Sequence, residues 1–548
     1  MIEEKLKEKR YLKDIIREKE YIYTFSFILR NGDEVPLKMY IDKDRFPFQL
    51  PSIYINLEKQ SYVPDIPHIT SSGYICYLDK EGIVWSDNIE KVFDFIFERV
   101  EAILFKNESK EGIHREFQYY FSQLENKEEM FSFITEGEKT RKIKAFIFKE
   151  KNLKFICDAN NMDEEEIEKG QILNAIYIPF FKELDLYVPN KYKFWTAQET
   201  KDLIERCVSK ENIKLIDKLT KEGNSAIYVL DILLAGGQNV LVGIKYDGKI
   251  IKGKSPILNN SEEYKITPIY IERIDDKKNL IRGGAIANGD EFKILVIGCG
   301  SVGSDTIFQL ARSGFKNFTL VDNDFLSQDN IYRHFLGRST TEDNKSKVYL
   351  MKKELENRYR EIKCEALNSD IFYLLEMKKL NLSEYSLIIS AIGDSNKERL
   401  LNKYVVKSRV PIIYTWVEAY GIGGHAVLIN KSGCYNCLFT EELRCRVNFA
   451  GKSKVPFIKN FGGCLGTFTP YGGMDSMQTA IIAARLAQEF LIDKNVENKI
   501  ISWKGGANRF LSEGYTLDDS YNKFSVGVGE RKDIKLEGCA YCYDTNQV

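Results

Sequence analysis

The chain has 548 residues, 43% of them hydrophobic and 12% aromatic, which is typical of well-packed globular domains and too long for a single one. Its 79 lysines and arginines nearly balance its 80 aspartates and glutamates, so the net charge of −1 excludes a bulk attraction to nucleic acid or to an anionic membrane. The charged amino terminus lacks the apolar core of a signal peptide, and the most apolar long window, residues 227–244, is interrupted by Asp231 and by a glycine pair. We therefore expect a cytoplasmic protein of two to four domains, with no membrane span and no nucleic-acid partner.

The first quarter of the chain predicts a small α+β domain. Residues 1–20 alternate charged and apolar side chains in a way that predicts an amphipathic surface helix. The runs that follow predict strands at 21–29, 35–41 and 50–57 and helices at 89–105 and 114–124. Because Asn31-Gly32 between the first two strands is a hairpin signal, we expect an antiparallel meander followed by helices.

The segment Ile66-Pro-His-Ile-Thr-Ser-Ser-Gly73-Tyr-Ile-Cys76 resembles the active-site region of ubiquitin-conjugating enzymes. The positions that keep the family's pattern are Phe46, Pro47, Ile69, Gly73, Ile75, Cys76 and Trp85. The resemblance covers residues 1–130 and implies that Cys76 carries a thioester; the alternative is a buried structural cysteine. His68 stands where the family has an asparagine that stabilises the oxyanion, a role that an imidazole N–H can also serve.

Residues 131–285 contain no recognisable motif and are interpreted as an α+β linker domain. The strand-like runs lie at 143–148, 155–157, 175–180, 226–234 and 240–244, and a helical run lies at 197–207. Cys157 and Cys207 are expected in its core.

A strand, a glycine turn, a helix and a second strand follow. The apolar strand 294–297 leads into Gly298-Cys-Gly300-Ser-Val-Gly303, whose glycines allow backbone N–H groups to approach a phosphate at a helix N-terminus. The second strand, 318–321, ends at Asp322, where a carboxylate can accept hydrogen bonds from a ribose. This unit predicts a nucleotide site, and by itself it most often indicates NAD or FAD.

Charged residues around the turn favour ATP over a dinucleotide. A dehydrogenase needs one acid for the ribose, whereas an adenylating enzyme needs acids for Mg²⁺ and cations for a triphosphate. Both kinds occur here, at Asp322, Asp324, Arg333, Lys347 and, after the buried strand 387–393, Asp394.

These motifs resemble the adenylation domains of the ubiquitin-activating superfamily, which includes bacterial enzymes that activate sulfur-carrier proteins. The resemblance covers residues 286–548 and implies a Rossmann-like, ThiF-type fold. It also implies an ATP site formed by Gly298, Gly300, Gly303, Asp322, Asp324, Asn330, Arg333, Lys347 and Asp394, with Asp394 also at Mg²⁺. His334 and Ser395 replace the family's glutamine and asparagine. Arg282 is either the arginine that such dimers send into the partner's active site or an ordinary surface arginine.

Eleven cysteines in a cytoplasmic chain indicate thiol chemistry or metal binding before disulfides. Two C-x-x-C pairs, Cys434/Cys437 and Cys539/Cys542, predict a structural tetrahedral Zn²⁺ site, and the adenylating family has the same arrangement. The alternative is four reduced cysteines without a metal.

The resemblance implies that Cys464, in a glycine-rich stretch before the helical run 474–490, is the activating cysteine. The second candidate is Cys445, because its neighbours Arg444 and Arg446 are expected to lower the pKa of its thiol. Cys299, inside the glycine turn, is expected to serve packing.

A conjugating domain ahead of an activating domain resembles the ubiquitin-transferase-like proteins of CBASS antiphage defence. That family implies ATP-dependent adenylation of a partner's C-terminal glycine, the partner being a cGAS-like nucleotidyltransferase (CD-NTase). Thioester transfer to Cys464 and then to Cys76, and conjugation to lysines by a homodimer, complete the expected activity. The alternatives are an adenylyltransferase or sulfurtransferase that activates a sulfur carrier for thiamin or molybdopterin synthesis, an NAD(P) oxidoreductase, and an inactive scaffold.

Overall fold

The computed structural model describes residues 2–60, 68–70, 72–78, 87–105, 110–148, 153–158, 171–189, 193–223, 226–247, 255–259, 264–286, 289–338, 346–359, 361–430, 432–453, 455–460, 467–493, 496–531, 534, 539 and 541–542. They belong to two compact units, Met1–Asp275 and Asp276–Val548. The predicted domain boundaries after residues 130 and 285 stay predictions. Within the described residues, no helix has the length and apolar character needed to cross a membrane.

The first unit begins with a four-stranded antiparallel sheet and a long helix. Its elements are α1 (Ile2–Lys7), β1 (Leu12–Lys19), β2 (Ile22–Ile28), β3 (Glu34–Tyr40), β4 (Ser52–Ile55) and α2 (Ile89–Phe105). The helix buries Phe93 and Phe97, four residues apart on one face, and the Phe97 ring meets that of Phe25 on β2 at 5.7 Å. The meander and the helix at 89–105 are therefore confirmed.

The predicted helix over residues 1–20 is wrong beyond Lys7, because residues 12–19 form strand β1. The pairing of β1 with β2 is interrupted by register shifts after Lys13 and after Arg17. Such irregularities break the two-residue alternation of a strand, so the apolar residues of β1 acquire a spacing that imitates a helix.

The remainder of the first unit is a closed seven-stranded barrel with helices packed against it. Its strands are β5 (Glu128–Ser132), β6 (Arg141–Phe148), β7 (Leu153–Asp158), β8 (Gln171–Glu183), β9 (Ile227–Leu233), β10 (Asn239–Asp247) and β11 (Lys265–Arg273). Its helices are α3 (Lys110–Arg115), α4 (Phe117–Ser122), α5 (Ala197–Cys207) and α6 (Lys210–Gly223). Cys157 and Cys207 are buried in this region, as expected. The sequence did not predict β5, β11, α6 or closure of the barrel.

The second unit is built on an eight-stranded sheet in the order β14-β13-β12-β15-β16-β17-β20-β21. The strands of the sheet are β12 (Lys293–Ile297), β13 (Asn317–Val321), β14 (Lys363–Leu367), β15 (Leu387–Ser390), β16 (Ile412–Val417), β17 (Gly423–Ile429), β20 (Lys499–Lys504) and β21 (Gly527–Arg531), and a separate two-residue pair is β18 (Lys459–Asn460) with β19 (Thr467–Phe468). The five strands from β14 to β16 are parallel, and chain order reverses between β12 and β15. In such Rossmann-like sheets the ligand crevice lies at the carboxyl ends of the strands at this switch point.

Helices cover both faces of this sheet, which explains why its parallel strands are almost wholly apolar. The helices of the second unit are α7 (Asp276–Arg282), α8 (Ser301–Arg312), α9 (Lys347–Arg358), α10 (Ile371–Glu376), α11 (Ser395–Ser408), α12 (Gly473–Ile492), α13 (Asn508–Ser512) and α14 (Asp519–Lys523). Helix α8 follows the glycine turn and packs against α12. It is buried on most of its surface, including the acidic residue Asp305.

Burial of Asp305 makes stability depend on pH. The side chain is 5% exposed, and burial raises the pKa of its carboxyl from 3.8 to about 6. The folded state therefore binds more protons than the unfolded state between these values, so stability falls as pH rises through this window and stays lower above it. We expect Asp305→Asn to be more stable than the wild type at pH 7 by about 1–3 kcal/mol.

Calorimetry of the full chain between pH 4.5 and 7.5 checks this expectation, with Asp290→Asn, at an exposed position, as the control. An Asp305→Asn stability curve parallel to that of the wild type over this range would contradict it.

Candidate active site

The glycine turn lies at the switch point of the sheet, where β12 and β15 end side by side with Ile297 opposite Ser390. Gly298 has a φ of +90°, and a Cβ there would lie 2.7 Å from the carbonyl oxygen of Ala391. A Cβ on Gly303 would lie only 1.9 Å from the carbonyl oxygen of Gly298. These two glycines are required by backbone packing alone.

Gly300 differs from the other two glycines of the turn. It is the N-cap of α8, and a Cβ built on it meets no atom of the described residues within 4 Å. Among those residues, the space on the Cβ side of Gly300 is therefore open at the start of α8, and the N–H groups of a helix N-terminus can bind a phosphate.

The peptide groups of Cys299 are held from both sides. Asp322 Oδ2 accepts a hydrogen bond from Cys299 N at 2.6 Å, and His334 Nε2 donates to the Cys299 carbonyl at 2.7 Å. His334 Nδ1 accepts from Leu336 N at 3.2 Å, and burial lowers the pKa of this imidazole to about 4, so it is neutral. The histidine that replaces the family's glutamine therefore supports the turn. The Cys299 thiol is buried with a raised pKa, in keeping with packing.

Acidic and basic side chains flank the turn. Asp322 Oδ1 accepts from Asp324 N at 2.8 Å, so both of its oxygens receive backbone N–H groups. Lys347, 7% exposed at the start of α9, places Nζ 3.0 Å from Asp324 Oδ2. An ammonium group has three donors, so Lys347 retains donors for a phosphate.

Arg333 is placed by a residue that the sequence did not single out. Its guanidinium lies 4.7 Å from the centre of the Tyr471 ring. The Tyr471 hydroxyl hydrogen-bonds Ser301 Oγ, at the first residue of α8, at 2.8 Å. Arg333 is thus held beside the N-terminus of α8. The Asn330 carbonyl accepts a hydrogen bond from Arg333 N at 2.9 Å, within the turn that leads to Arg333.

Asp394 follows β15 and is exposed. Its Oδ1 caps α11 by accepting from Asn396 N and Lys397 N at 2.9 and 3.2 Å. One turn further on, Glu398 is 3% exposed and accepts a hydrogen bond from the Ser390 hydroxyl at 2.6 Å. Burial raises the pKa of Glu398 to about 7. Glu398 was not predicted from the sequence, since nothing in the local pattern marks it as buried.

Cys76 lies on a hairpin in the first unit and is exposed, so the alternative of a buried structural cysteine is wrong. Cys76 N donates to the His68 carbonyl at 2.7 Å, and Ile69 pairs with Ile75. Both isoleucines are buried, and the Cys76 side chain, which follows Ile75, is exposed on the opposite face of the hairpin. His68 has a φ of +69°, a conformation uncommon for a side chain other than glycine.

Two tyrosines that the sequence did not predict lie near this thiol. Tyr74 shares the hairpin face with Cys76, and Thr70 N donates to the Tyr74 carbonyl at 2.8 Å. Tyr119, on α4, hydrogen-bonds the Thr70 side chain; burial raises the pKa of Tyr119, and the nearby Cys76 thiol adds to this effect. Only the tertiary fold brings α4 to the hairpin, so no local signal could have identified Tyr119.

The two candidates for the activating cysteine have different outcomes. Cys464 lies outside the described residues, and its role stays a prediction. The expectation of a lowered pKa at Cys445 is wrong, because burial raises the pKa of this thiol to about 11. The neighbouring guanidinium groups are engaged elsewhere: Arg444 pairs with Asp518, and Arg446 donates to the carbonyls of Cys437 and Ile534.

The four cysteines of the C-x-x-C pairs come together although the pairs are about a hundred residues apart in the chain. The Sγ–Sγ distances are 3.9 Å for Cys434–Cys437, 3.8 Å for Cys434–Cys539 and 3.6 Å for Cys437–Cys542, and all four sulfurs lie within 4.8 Å of one another. Tetrahedral Zn²⁺ with Zn–S bonds of about 2.3 Å requires edges of about 3.8 Å. The four thiols therefore fit a closed structural zinc site.

Comparison with known families identifies two domains. Residues 283–495 match the ThiF family, and residues 3–130 match Prokaryotic E2 family B. The chain therefore combines a ThiF-family domain with a prokaryotic E2 domain, which confirms both resemblances inferred from the motifs.

Several named proteins are similar to the chain. The ATP-dependent ubiquitin transferase-like protein Cap2 of Escherichia coli (strain TW11681) is 20% identical over 515 residues, which cover 84% of this chain and 85% of Cap2. SUMO-activating enzyme subunit 2 of Dictyostelium discoideum is 25% identical over 145 residues, 26% of this chain and 22% of that subunit. The sulfur carrier protein ThiS adenylyltransferase of E. coli (strain K12) is 25% identical over 162 residues, 28% of this chain and 62% of that enzyme. The crystal structure of E. coli MccB with ATP is 22% identical, with a TM-score of 0.32 over 46% of this chain and 66% of that one.

Two substitutions in the glycine turn test the different roles of Gly303 and Gly300. Gly303→Ala places a Cβ against the Gly298 carbonyl, and we expect it to destabilise the second unit by about 4 kcal/mol or more. Gly300→Ala meets no atom, so we expect wild-type stability but weaker binding of ATP·Mg²⁺, because the methyl group enters the space in front of α8. Calorimetric unfolding and nucleotide titration measure the two effects. Equal stability of the two variants would contradict this account of the turn.

Proposed function

We propose that the chain is an ATP-dependent ubiquitin-like conjugation enzyme. It activates the C-terminal carboxylate of a protein, carries it as a thioester on Cys464 and then Cys76, and attaches it to lysines. The observation that carries this proposal is the presence on one chain of a ThiF-family domain and of an E2 domain whose cysteine, Cys76, is exposed. The similarity to Cap2, an ATP-dependent ubiquitin transferase-like protein, supports the same activity and extends over both domains.

In the first step the substrate carboxylate attacks the α-phosphorus of ATP. A P–O bond forms to the carboxylate, pyrophosphate leaves, and an acyl-adenylate remains. The phosphates bind in front of Gly300, at the N-terminus of α8, and Lys347 and Arg333 offset their charge. Asp394, exposed at the strand end, and Asp324, largely exposed beside Lys347, are the carboxylates available to Mg²⁺. Asp322 and Asn330 complete the nucleotide site.

In the next steps the acyl group moves between thiols and then to an amine. The Cys464 thiolate attacks the acyl carbon, a C–S bond forms and AMP leaves. The Cys76 thiolate then displaces Cys464 in the same way. Finally a lysine amine attacks the Cys76 thioester, a C–N bond forms, and the thiolate departs while the amine releases its proton to solvent. His68, whose carbonyl accepts a hydrogen bond from Cys76 N, is the residue proposed to stabilise the oxyanion.

The substrate, the biological role and the assembly follow from the resemblance to CBASS ubiquitin-transferase-like proteins. The protein activated is a cGAS-like CD-NTase with a C-terminal glycine, and its conjugation primes antiviral defence in the cytoplasm. The enzyme works as a homodimer through its ThiF domain, and Arg282, exposed at the end of α7, is either the arginine that such dimers share or an ordinary surface residue. Zn²⁺ held by Cys434, Cys437, Cys539 and Cys542 has a structural role.

A sulfur-carrier adenylyltransferase is the second candidate, and the similarity to the ThiS adenylyltransferase supports it. That similarity extends over only 28% of this chain, and this candidate function assigns no role to the E2 domain. An exposed cysteine on the E2 hairpin therefore favours conjugation.

The decisive experiment replaces each cysteine in turn. The full chain is incubated with ATP and with CD-NTases ending in glycine, and adducts are resolved with and without reductant. We expect Cys76→Ala to retain ATP–pyrophosphate exchange and a reductant-sensitive adduct on Cys464 but to lose lysine conjugates. We expect Cys464→Ala to retain exchange and to lose every adduct.

Cys157→Ala, which changes a buried barrel cysteine, serves as the control and is expected to behave as the wild type. Lysine conjugates formed by Cys76→Ala would refute the conjugation pathway. Formation of a thiocarboxylate on a sulfur carrier would instead establish the second candidate.

The role of Lys347 in the proposed nucleotide site can be tested separately. Lys347→Ala removes a cation next to the phosphate position, and we expect the rate of ATP–pyrophosphate exchange to fall about 10²–10³-fold, the usual cost of losing one preorganised donor. Lys353→Ala, an exposed lysine on the same helix, is the control and should leave exchange unchanged. Exchange within threefold of wild type in Lys347→Ala would remove Lys347 from the proposed ATP site.

A further inference from the structure

Helix α11 makes contact with both the nucleotide edge and the four-cysteine cluster. At its N-terminal end, Asp394 caps the helix through two backbone N–H groups. Glu398, one turn on, accepts from the Ser390 hydroxyl at 2.6 Å and from the backbone N–H groups of Ile392 and Gly393. The buried hydrogen bonds of Glu398 therefore hold the loop that carries Asp394 against α11.

The middle of α11 holds the turn between the first two cysteines. Tyr435 N donates to Asn402 Oδ1 at 2.9 Å, and Arg399 Nε donates to Asn436 Oδ1 at 2.8 Å. Tyr435 and Asn436 are the two residues between Cys434 and Cys437. The same helix thus bonds to the Asp394 loop and, one turn later, to the cysteine turn.

The cysteine turn also packs against the strands that end at the nucleotide edge. The Tyr435 ring lies 4.4 Å from the ring of Tyr414 on β16, and Tyr414 is in register with Ser390 on β15. Tyr435 is 4% exposed and Cys437 is fully buried. A displacement of the turn cannot be absorbed by solvent and has to be taken up by α11, β16 or the end of β15.

Metal binding would fix the position of this turn. Four Zn–S bonds of about 2.3 Å hold Cys434 and Cys437 to Cys539 and Cys542, which lie near the C-terminus. Without the metal, only protein contacts retain Tyr435 and Asn436, and the four thiols no longer share a common centre. Because α11 bonds to these two residues, it is in direct contact with the turn that the metal would hold.

We propose that the cysteine turn positions the nucleotide loop through α11, with Arg399 and Asn402 as positioning residues that couple Zn²⁺ in the four-cysteine site to ATP·Mg²⁺ at Asp394. The inference rests on the proposed nucleotide site. Coupling between two sites is reciprocal in binding free energy, so Zn²⁺ and ATP·Mg²⁺ each tighten the binding of the other. The tighter binding of Zn²⁺ acts on its release, because ATP·Mg²⁺ stabilises the folded turn that must open for the metal to leave.

Zinc release tests the coupling without measuring catalysis. The zinc-loaded full chain is mixed with a chelating metallochromic dye, with and without ATP·Mg²⁺, and nucleotide binding is measured separately by calorimetry. We expect ATP·Mg²⁺ to slow release by about fivefold or more in the wild type, the lower end of common coupling factors. In Arg399→Ala and Asn402→Ala we expect the slowing to fall below twofold, and Arg399→Lys, which keeps a donor for Asn436, should restore part of it.

Lys403→Ala, an exposed position on α11, is the control and should keep the full effect. Because Asn402 is buried and its loss can disturb folding, the half-buried Arg399 provides the variant that keeps the test valid. If the wild type binds ATP·Mg²⁺ but releases zinc at the same rate with and without it, the coupling is refuted while the proposed function stands. If calorimetry detects no ATP binding, both fall. Full slowing in both Arg399→Ala and Asn402→Ala would refute the route through α11.

Discussion

The approach of Gly303 to the carbonyl of Gly298 sets the geometry on which the second unit depends. With 1.9 Å between that oxygen and a Cβ at Gly303, no side chain can occupy the position, and α8 is drawn against the end of β12. The first turn of α8 therefore lies at the crevice, at the switch point of the sheet. Lys347 pairs with Asp324, and Arg333 lies against Tyr471, whose hydroxyl hydrogen-bonds Ser301 at the first residue of α8. These two cations are therefore positioned around a backbone contact that carries no charge.

The sequence predicted this half of the molecule well because the signals are local. Parallel strands covered on both faces are continuous apolar runs, and the glycine spacing marks the turn directly. The predictions failed where structure depends on distant partners. The barrel closes because β5 pairs in parallel with β11, which joins Glu128 to Ile269, and no local pattern specifies such a pairing. Tyr119 and Tyr471 were missed for the same reason: each reaches its site only after a distant segment has docked.

The cysteines show how burial outweighs sequence context. Cys445 lies between two arginines, yet its thiol is shielded and the arginines point to other partners, so its pKa rises. Cys76 has no charged neighbour on either side in the sequence, but the hairpin buries Ile69 and Ile75 and thereby presents the thiol to solvent. A thiol that must receive and deliver an acyl group has to be reached by two different partners, which suits Cys76 and not Cys445. In the proposed transfer, the presence of both domains on one chain raises the effective concentration of the second thiol.

Asp394 and Glu398, two acidic residues one helical turn apart at the start of α11, have different environments and different roles. Asp394 is exposed, and its Oδ1 caps the helix N-terminus, so that the carboxylate can be reached from solvent by a cation. Glu398 is buried, its pKa is raised to about 7, and its oxygens receive the hydroxyl of Ser390 and the N–H groups of Ile392 and Gly393. An exposed carboxylate in the second position would exchange these partners for water, and the loop would lose its anchor. Burial of Glu398 thus holds the loop rigidly, at a cost in solvation of its carboxyl group. Asp394 stays exposed, so that one short segment is both fixed in position and accessible to a ligand.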